Sequence, residues 1–383
     1  MSGVPLGVLD LVPVPSGSTA ARALRNSIDL ARNAEAFGYA RHWFAEHHLN
    51  PGVAGTSPAV VLALTAAATR TIRLGSGAVQ LGHRTALSTV EEFGLVDALH
   101  PGRLDLGLGR SAGPPRPPAA GEPPPPVLAA SVAGYAPNGL RIPERFSPAP
   151  LWAHPRVALQ QRLLSLPGAR PQDCDEQVDD VLALLRGAYR TPEGVEAHAV
   201  PGEGADVQVW LLGSSGGVSA RAAGRNGLRF AANYHVSPAT VLEASDAYRA
   251  AFEPSAELER PYLTVSADVV VAEDGAAAAE PATGYAAWVR SIRSGEGAIP
   301  YPTPAQARAL PWSDADTALV ADRTETRFVG SAREVADRLE VLREATGADE
   351  LLITTITHDH AARVRSYGLL AREWRRRGHL REP

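Results

Sequence analysis

"IRLGSGAVQLGHRTALSTVEEFGLVDALHPGRLDLGLGR", residues 72–110, decides the fold. Residues 72–79 form a short apolar run interrupted by glycine, the pattern of a buried strand. Residues 88–100 place Val90, Phe93 and Val96 at helical spacing, and the segment opens on Ser88-x-x-Glu91, a capping box. Residues 103–110 return to a buried strand through Leu104, Leu106 and Leu108. Two buried strands with one helix between them suit the parallel βαβ unit, whose crossover is usually a helix.

The same alternation extends in both directions. Residues 5–12 predict a strand, 19–39 a helix ended by Gly38, and 40–48 a second strand. Ser57 and Pro58 open the next helix as N-cap and first residue. Beyond the quoted stretch, strands are expected at 205–215, 229–236, 261–274 and 349–358, with helices at 177–187, 217–227, 237–252, 331–347 and 360–377. Ser331-x-x-Glu334 is a second capping box. Eight strands alternating with eight helices point to an α/β fold, a (β/α)8 TIM barrel, with a doubly wound sheet as the alternative. Two irregular excursions, about 111–174 after the fourth strand and 280–325 after the seventh, account for the length beyond a typical barrel of about 250 residues. The proline-rich run at 111–126 excludes regular structure there. The chain reads as one domain, 1–383, with these insertions.

Composition removes several kinds of chemistry. Of 383 residues, 37 are basic and every one is arginine, so the lysine of Schiff-base, pyridoxal-phosphate and P-loop enzymes is missing. A net charge of −5 gives no reason to expect nucleic acid or an anionic membrane. No run of 18 apolar residues suggests a membrane span, and the start of the chain does not have the pattern of a signal peptide. The single cysteine, Cys174, fits a cytoplasmic protein.

In a barrel of this kind the chemistry collects at the carboxyl ends of the strands. That criterion selects Glu46, His47 and His48 after strand two, Ser76, Gly77 and Ala78 after strand three, and Gly109 and Arg110 after strand four. It also selects Gly213–Gly217 after strand five, Tyr234 and His235 after strand six, and Thr357–His360 after strand eight. "LLGSSGGVSA" (211–220) runs a strand into serines, glycines and a helix start, which suits either a phosphate or a serine-capped tight turn. Arg110 could clamp the same anion or form a surface ion pair. "GLGRSA" (107–112) matches a dinucleotide fingerprint formally, but proline follows where a helix must begin. His47 and His48 read as core histidines, as a metal pair, or as an acid/base group at the mouth. The metal reading is disfavoured because neighbours on a strand face opposite ways.

Taken in order, "FGYARHWFAEHH", "IRLGSGAVQL", "EEFGLVDALHPGRLDLGLGRS", "VWLLGSSGGVSARAAGRNGL" and "VGSAREVADRL...TGADELLITT" resemble the luciferase-like flavin monooxygenases, the family of the bacterial luciferase subunits. The resemblance spans nearly the whole chain apart from the two excursions. It implies a TIM barrel, commonly homodimeric, that binds FMN at its carboxyl face. Reduced FMN (FMNH2) would come from a separate NAD(P)H:flavin reductase, and O2 would deliver one oxygen atom to a small organic substrate. His47 matches the histidine implicated in acid/base chemistry, and His48 its neighbour. Gly77 and Ala78 match a pair joined by a non-prolyl cis peptide beneath the flavin ring, with Ser76 and Gly109 alongside. Arg110 and the Gly213, Ser214, Ser215, Gly216 loop match the flavin-phosphate site, and Tyr234 falls where luciferase has a tryptophan near the flavin. Luciferase has cysteine at the position of Gly109 and glutamate at that of Gly213, so light emission does not follow. The resemblance leaves F420-dependent hydride transfer and non-catalytic flavin binding as alternatives. It also suggests hydroxylation or epoxidation in tailoring a secondary metabolite such as an aromatic polyketide.

Overall fold

The computed structural model describes residues 3–110, 133–169 and 172–380. Eight parallel strands close on themselves: β1 (Leu6–Asp10), β2 (Arg41–Phe44), β3 (Arg73–Ser76), β4 (Leu104–Gly109), β5 (Val207–Gly213), β6 (Arg229–Asn233), β7 (Leu263–Ala272) and β8 (Glu350–Thr354). Closure is visible at β1, where Val8 sits between His42 of β2 and Ile353 of β8. The barrel therefore holds, and the doubly wound alternative does not.

Alternation along each strand sorts the side chains. Leu6, Val8, Leu104, Leu106, Leu108, Val209, Leu211, Val265 and Ile353 point outward into the core shared with the helices. The inward set forms layers. Lowest lies a buried charge network in which Arg41 donates to Asp105 at 2.5 Å and to Glu350 at 2.7 Å, while Arg73 donates to Asp105 at 2.8 Å. Two cations against two carboxylates leave this layer neutral, which makes its burial tolerable. Above it Trp43 and Trp210 meet edge to face, 5.0 Å between centroids. Gly75 leaves room for them, since a Cβ there would lie 2.6 Å from the Trp43 indole.

Several elements depart from their expected limits. β2 stops at Phe44, so Glu46, His47 and His48 lie in the following loop rather than on the strand. β3 stops at Ser76 and a short extension resumes at Val79–Gln80, with a cis Gly77–Ala78 peptide between them. The helix expected to start at Ser88 starts at Ala86, because Thr85 accepts from the Ser88 N–H and takes the N-cap role. Ser331 forms the expected capping box with Glu334.

The excursions follow β4 and β7 as expected, but neither is wholly irregular. The proline-rich run lies outside the described residues. After it come a hairpin (Gly134–Tyr135 with Arg141–Ile142) and a helix, Pro155–Leu164. The second excursion is helical: Gly275–Ala282, Tyr285–Arg293, Pro304–Ala309 and Asp314–Glu325. Its glycines and prolines read as loop in sequence. In fact Pro304 sits at a helix start, and capping boxes at Thr303 and Ser313 begin two of these helices. Arg293 joins the two excursions by stacking over the Phe146 ring at 3.9 Å and pairing with Asp322. Arg156 donates to the Leu49 carbonyl, which brings the first excursion onto the loop after β2.

Candidate active site

At the carboxyl face, the loop after β2 divides its side chains between two environments. Glu46 is 2% exposed and turns toward the segment after β3. Its Oε1 receives His48 Nε2 and His83 Nε2, each at 3.0 Å, and Arg84 Nη2 at 3.1 Å; its Oε2 accepts the Gln80 N–H at 2.9 Å. Burial alone would raise this carboxyl, but the bonds from His83, Gln80 and His48 outweigh it and bring Glu46 down to about 2. Glu46, His48 and His83 have the composition of a metal triad, with ligand atoms within 4.8 Å of one another. The donor set nevertheless does not fit a cation, because Arg84 already occupies the shared carboxylate oxygen. His48 thus serves to hold Glu46.

His47 goes the other way. Its backbone is fixed by a 2.7 Å bond to the Gly55 carbonyl, while its buried Nδ1 has no partner among the described residues. Burial, reinforced by the neighbouring His48, brings the imidazole down to about 4 against the opposing pull of Glu46. His47 is close enough to His235 for their charges to interact. His235 Nδ1 lies 2.6 Å from Ser266 Oγ on β7, and burial with the charge of Arg323 brings it down to about 3. Both imidazoles are neutral near pH 7.

The other predicted residues are distributed over the same rim. Ser76 is fully buried and staples β3 to β4, accepting the Gly107 N–H at 2.9 Å and donating to the Gly107 carbonyl at 2.8 Å. The Gly77–Ala78 peptide is cis, as the resemblance implies. A Cβ on Gly77 would lie 2.7 Å from Leu9, and one on Gly109 would lie 3.0 Å from the Ala78 methyl, so this side of the mouth has room only because those side chains are missing. Register between β4 and β5 (Leu108 beside Leu211) continues to bring Arg110 next to Gly213. Arg110 is exposed and has no partner among the described residues. Burial and Asp175 push the Cys174 thiol up to about 11, and the Arg110 charge opposes them. Ser214 is exposed and Ser215 half-buried in front of the helix Val218–Arg225, whose N-terminus no side chain caps. Donors at that end can receive an anion. One loop donor is already engaged, since the Gly216 N–H reaches Glu243 Oε1 at 3.0 Å.

Tyr234 is not brought to this group. Its ring packs near Phe328, outside the barrel wall, and its hydroxyl donates to the Arg141 carbonyl at 2.6 Å. Alternation places Tyr234 outward with Phe230 and Ala232, and His235 inward with Ala231. Sequence reasoning assigned no role to His83, Arg84 or Arg323. "GHRT" after the third strand was a legible signal for the first two, whereas Arg323 sits in the excursion read as irregular.

The carboxyl face thus collects a glycine-lined wall, a guanidinium without a partner among the described residues, a helix that starts without a side-chain cap, and a buried imidazole nitrogen without a partner among those residues. Residues 4–130 and 167–350 match the family model for luciferase-like monooxygenases. The chain is 35% identical over 375 residues to the Bacillus subtilis protein YvbT, covering 97% of each chain. It is 32% identical to a luciferase-like monooxygenase of Escherichia coli strain K12 over 367 residues, 96% of each. The solved structure of apo-MsnO8 superposes with a TM-score of 0.76 at 30% identity, covering 97% of this chain and 98% of that one. At the level of fold alone, the oxygenating constituent of Pseudomonas putida 3,6-diketocamphane monooxygenase, solved with FMN, gives a TM-score of 0.64 at 18% identity, covering 97% of each chain.

Proposed function

The chain belongs to the luciferase-like monooxygenase family, and from that premise we propose that it takes reduced FMN from a separate NAD(P)H:flavin reductase and uses O2 to place one oxygen atom on an organic substrate. What supports this reading is Arg110 directly after β4, without a partner among the described residues, the helix at Val218 after β5, which starts without a side-chain cap, and His47 Nδ1 after β2, buried without a partner among those residues. When bound, reduced FMN supplies the electrons and the centre at which O2 is activated.

Around it, the chain's own groups have separable tasks. Arg110 and the Ser214–Gly217 backbone hold the phosphate. Gly77, Ala78 and Gly109 give a flat ring access to the wall between β3 and β4. His47, neutral and short of a partner, holds or accepts a proton at Nδ1. His48, through Glu46, keeps the loop that carries His47 in place. Apolar groups of the second excursion, among them Trp288 and Tyr301, pack with Leu9 and Trp43 and exclude water from the mouth. A substrate with an extended apolar or aromatic body suits such walls, which is compatible with tailoring of a secondary metabolite.

A homodimer is part of the proposal. Val60 and Leu64 on the helix Pro58–Ala66 are 60% and 53% exposed, and Leu87 and Leu95 on the contacting helix Ala86–Leu99 are 45% and 58% exposed. Two adjacent helices with leucine on their outer faces offer a continuous apolar surface for a second copy.

Rapid mixing tests the flavin reading. Reduced FMN, incubated with the protein and then mixed with oxygenated buffer, is expected to reoxidise several-fold more slowly than free flavin, because the site excludes water. Reoxidation at the free rate, together with no quenching of FMN fluorescence on titration, rejects it. F420 titrated in parallel is expected not to bind.

A further inference from the structure

Arg323 lies on the helix Asp314–Glu325 and is 7% exposed. Its Nε and Nη2 donate to a single oxygen, the Tyr285 hydroxyl, at 3.1 and 2.9 Å. No carboxylate pairs with it among the described residues. Buried arginine without a carboxylate is costly, and the usual solution is an ion pair. The neighbouring Arg327 is also buried and does have one, donating Nε to Asp268 Oδ1 at 2.7 Å. Its Nη2, the second oxygen of Asp268 and the Tyr301 hydroxyl are nevertheless buried without partners. Arg327 lies 3.8 Å from the Tyr285 ring centroid, so the two guanidinium groups flank one tyrosine. Among the described residues two cations thus lie near one carboxylate beside the helices of the second excursion, which leaves one positive charge unmatched there.

This excess charge borders the mouth. Asp268 and Ser266 lie on β7 with inward alternation, and Ser266 holds His235, whose imidazole feels the Arg323 charge. Around the cluster lie Trp288, Val320 and Ile356, which are apolar. The flavin-phosphate groups sit after β4 and β5, away from the β6–β7 side occupied here.

We propose that Arg323 is the anchor of a substrate subsite for an organic carboxylate, the monoanion meeting Arg323 and His235 while the apolar remainder extends toward the proposed flavin wall. The inference rests on the monooxygenase reading and narrows its substrate class. Tyr285 takes the Nε/Nη2 edge of Arg323, so a carboxylate would meet the Nη1 side in a charge-assisted bond, and the apolar surroundings favour an amphiphilic organic acid over inorganic phosphate.

Calorimetric titration of the whole protein, first with oxidised FMN and then with 4-phenylbutyrate, 4-phenylbutyramide and inorganic phosphate, tests this. Expected is an acid that binds at least about tenfold tighter than its amide, the margin of one charge-assisted hydrogen bond, with phosphate failing to compete. Arg323→Gln should remove the preference while FMN affinity and the far-ultraviolet circular dichroism stay unchanged. A crystal soaked with 4-phenylbutyrate should show the carboxylate in hydrogen-bond contact with Arg323, a measurement independent of how the variant folds. Equal binding of acid and amide, an undiminished preference in the Gln variant, or density elsewhere overturns the subsite. FMN binding without acid preference rejects the subsite alone; acid preference without FMN binding rejects the flavin reading alone.

Discussion

His47 and Glu46 are neighbours in sequence and opposite in role. Glu46 is saturated with donors, while His47 keeps a bare nitrogen at the mouth. Replacing His47 by alanine should lower substrate oxygenation by about 10²–10⁴-fold, the usual range for a positioned acid or base, with FMN affinity within about threefold of wild type. Product formation and flavin titration on the same sample check this; unchanged turnover removes His47 from the chemistry. Replacing Glu46 by glutamine should act on the fold instead. It strips the anion from His48, His83 and Arg84 and should cost about 3–5 kcal/mol in urea-unfolding free energy. Acid stability follows from the two imidazoles. Burial holds His47 and His235 at about 4 and about 3, below the value of an unfolded histidine. The folded state therefore binds fewer protons than the unfolded one between those values and about 6.5. Their contribution to stability is complete above that pH and drains as pH falls toward 4 and then 3. His235→Gln should flatten the acid limb of a stability-against-pH curve; an identical limb refutes the assignment.

At the scale of elements, β3 and β4 show how little separates a strand from a site. Ser76 bonds both polar groups of Gly107, and a Cβ on Gly107 would run into the Ser76 carbonyl. Gly107→Ala should therefore separate the two strands where they carry Gly77 and Gly109, costing about 1–3 kcal/mol as an overpacked site does. Thermal unfolding, with FMN affinity falling in parallel, measures it. The order of strands and helices was legible because the barrel strands bury an outward apolar row and many helices open on a cap or proline. The limits were less legible. Thr85 rather than Ser88 caps its helix, because either hydroxyl could accept the orphan N–H and only the chain's entry direction selects one. The helices of the second excursion were hidden by their own start signals, since Thr303-Pro304 reads as a breaker until its capping box is seen.

For the whole molecule, the charge network of Arg41, Arg73, Asp105 and Glu350 closes the end opposite the mouth. Arg41→Met should leave Asp105 and Glu350 under-compensated and destabilise by about 3–5 kcal/mol, read by denaturant unfolding. At the periphery, Leu64→Glu with Leu95→Glu should convert the proposed dimer to a monomer in sedimentation velocity; an unchanged sedimentation coefficient places the interface elsewhere. Among the described residues no helix is long and apolar enough to cross a membrane.

By itself the sequence determined the alternation of elements, the placing of both excursions and the strand ends on which chemistry collects. Those properties are local: apolar period, caps, and glycine where backbones approach. Closure into a barrel rather than a doubly wound sheet was seen only in the pairing of β1 with both β2 and β8. Only the tertiary structure decided which side of the wall each rim residue faces. His47 and His235 turn in, Tyr234 turns out, and His48 turns to Glu46. Arg323, in the excursion that reads as irregular, pairs with no carboxylate among the described residues. Facing and charge balance are sums over strands and helices that meet only on closure, so no segment carries them alone.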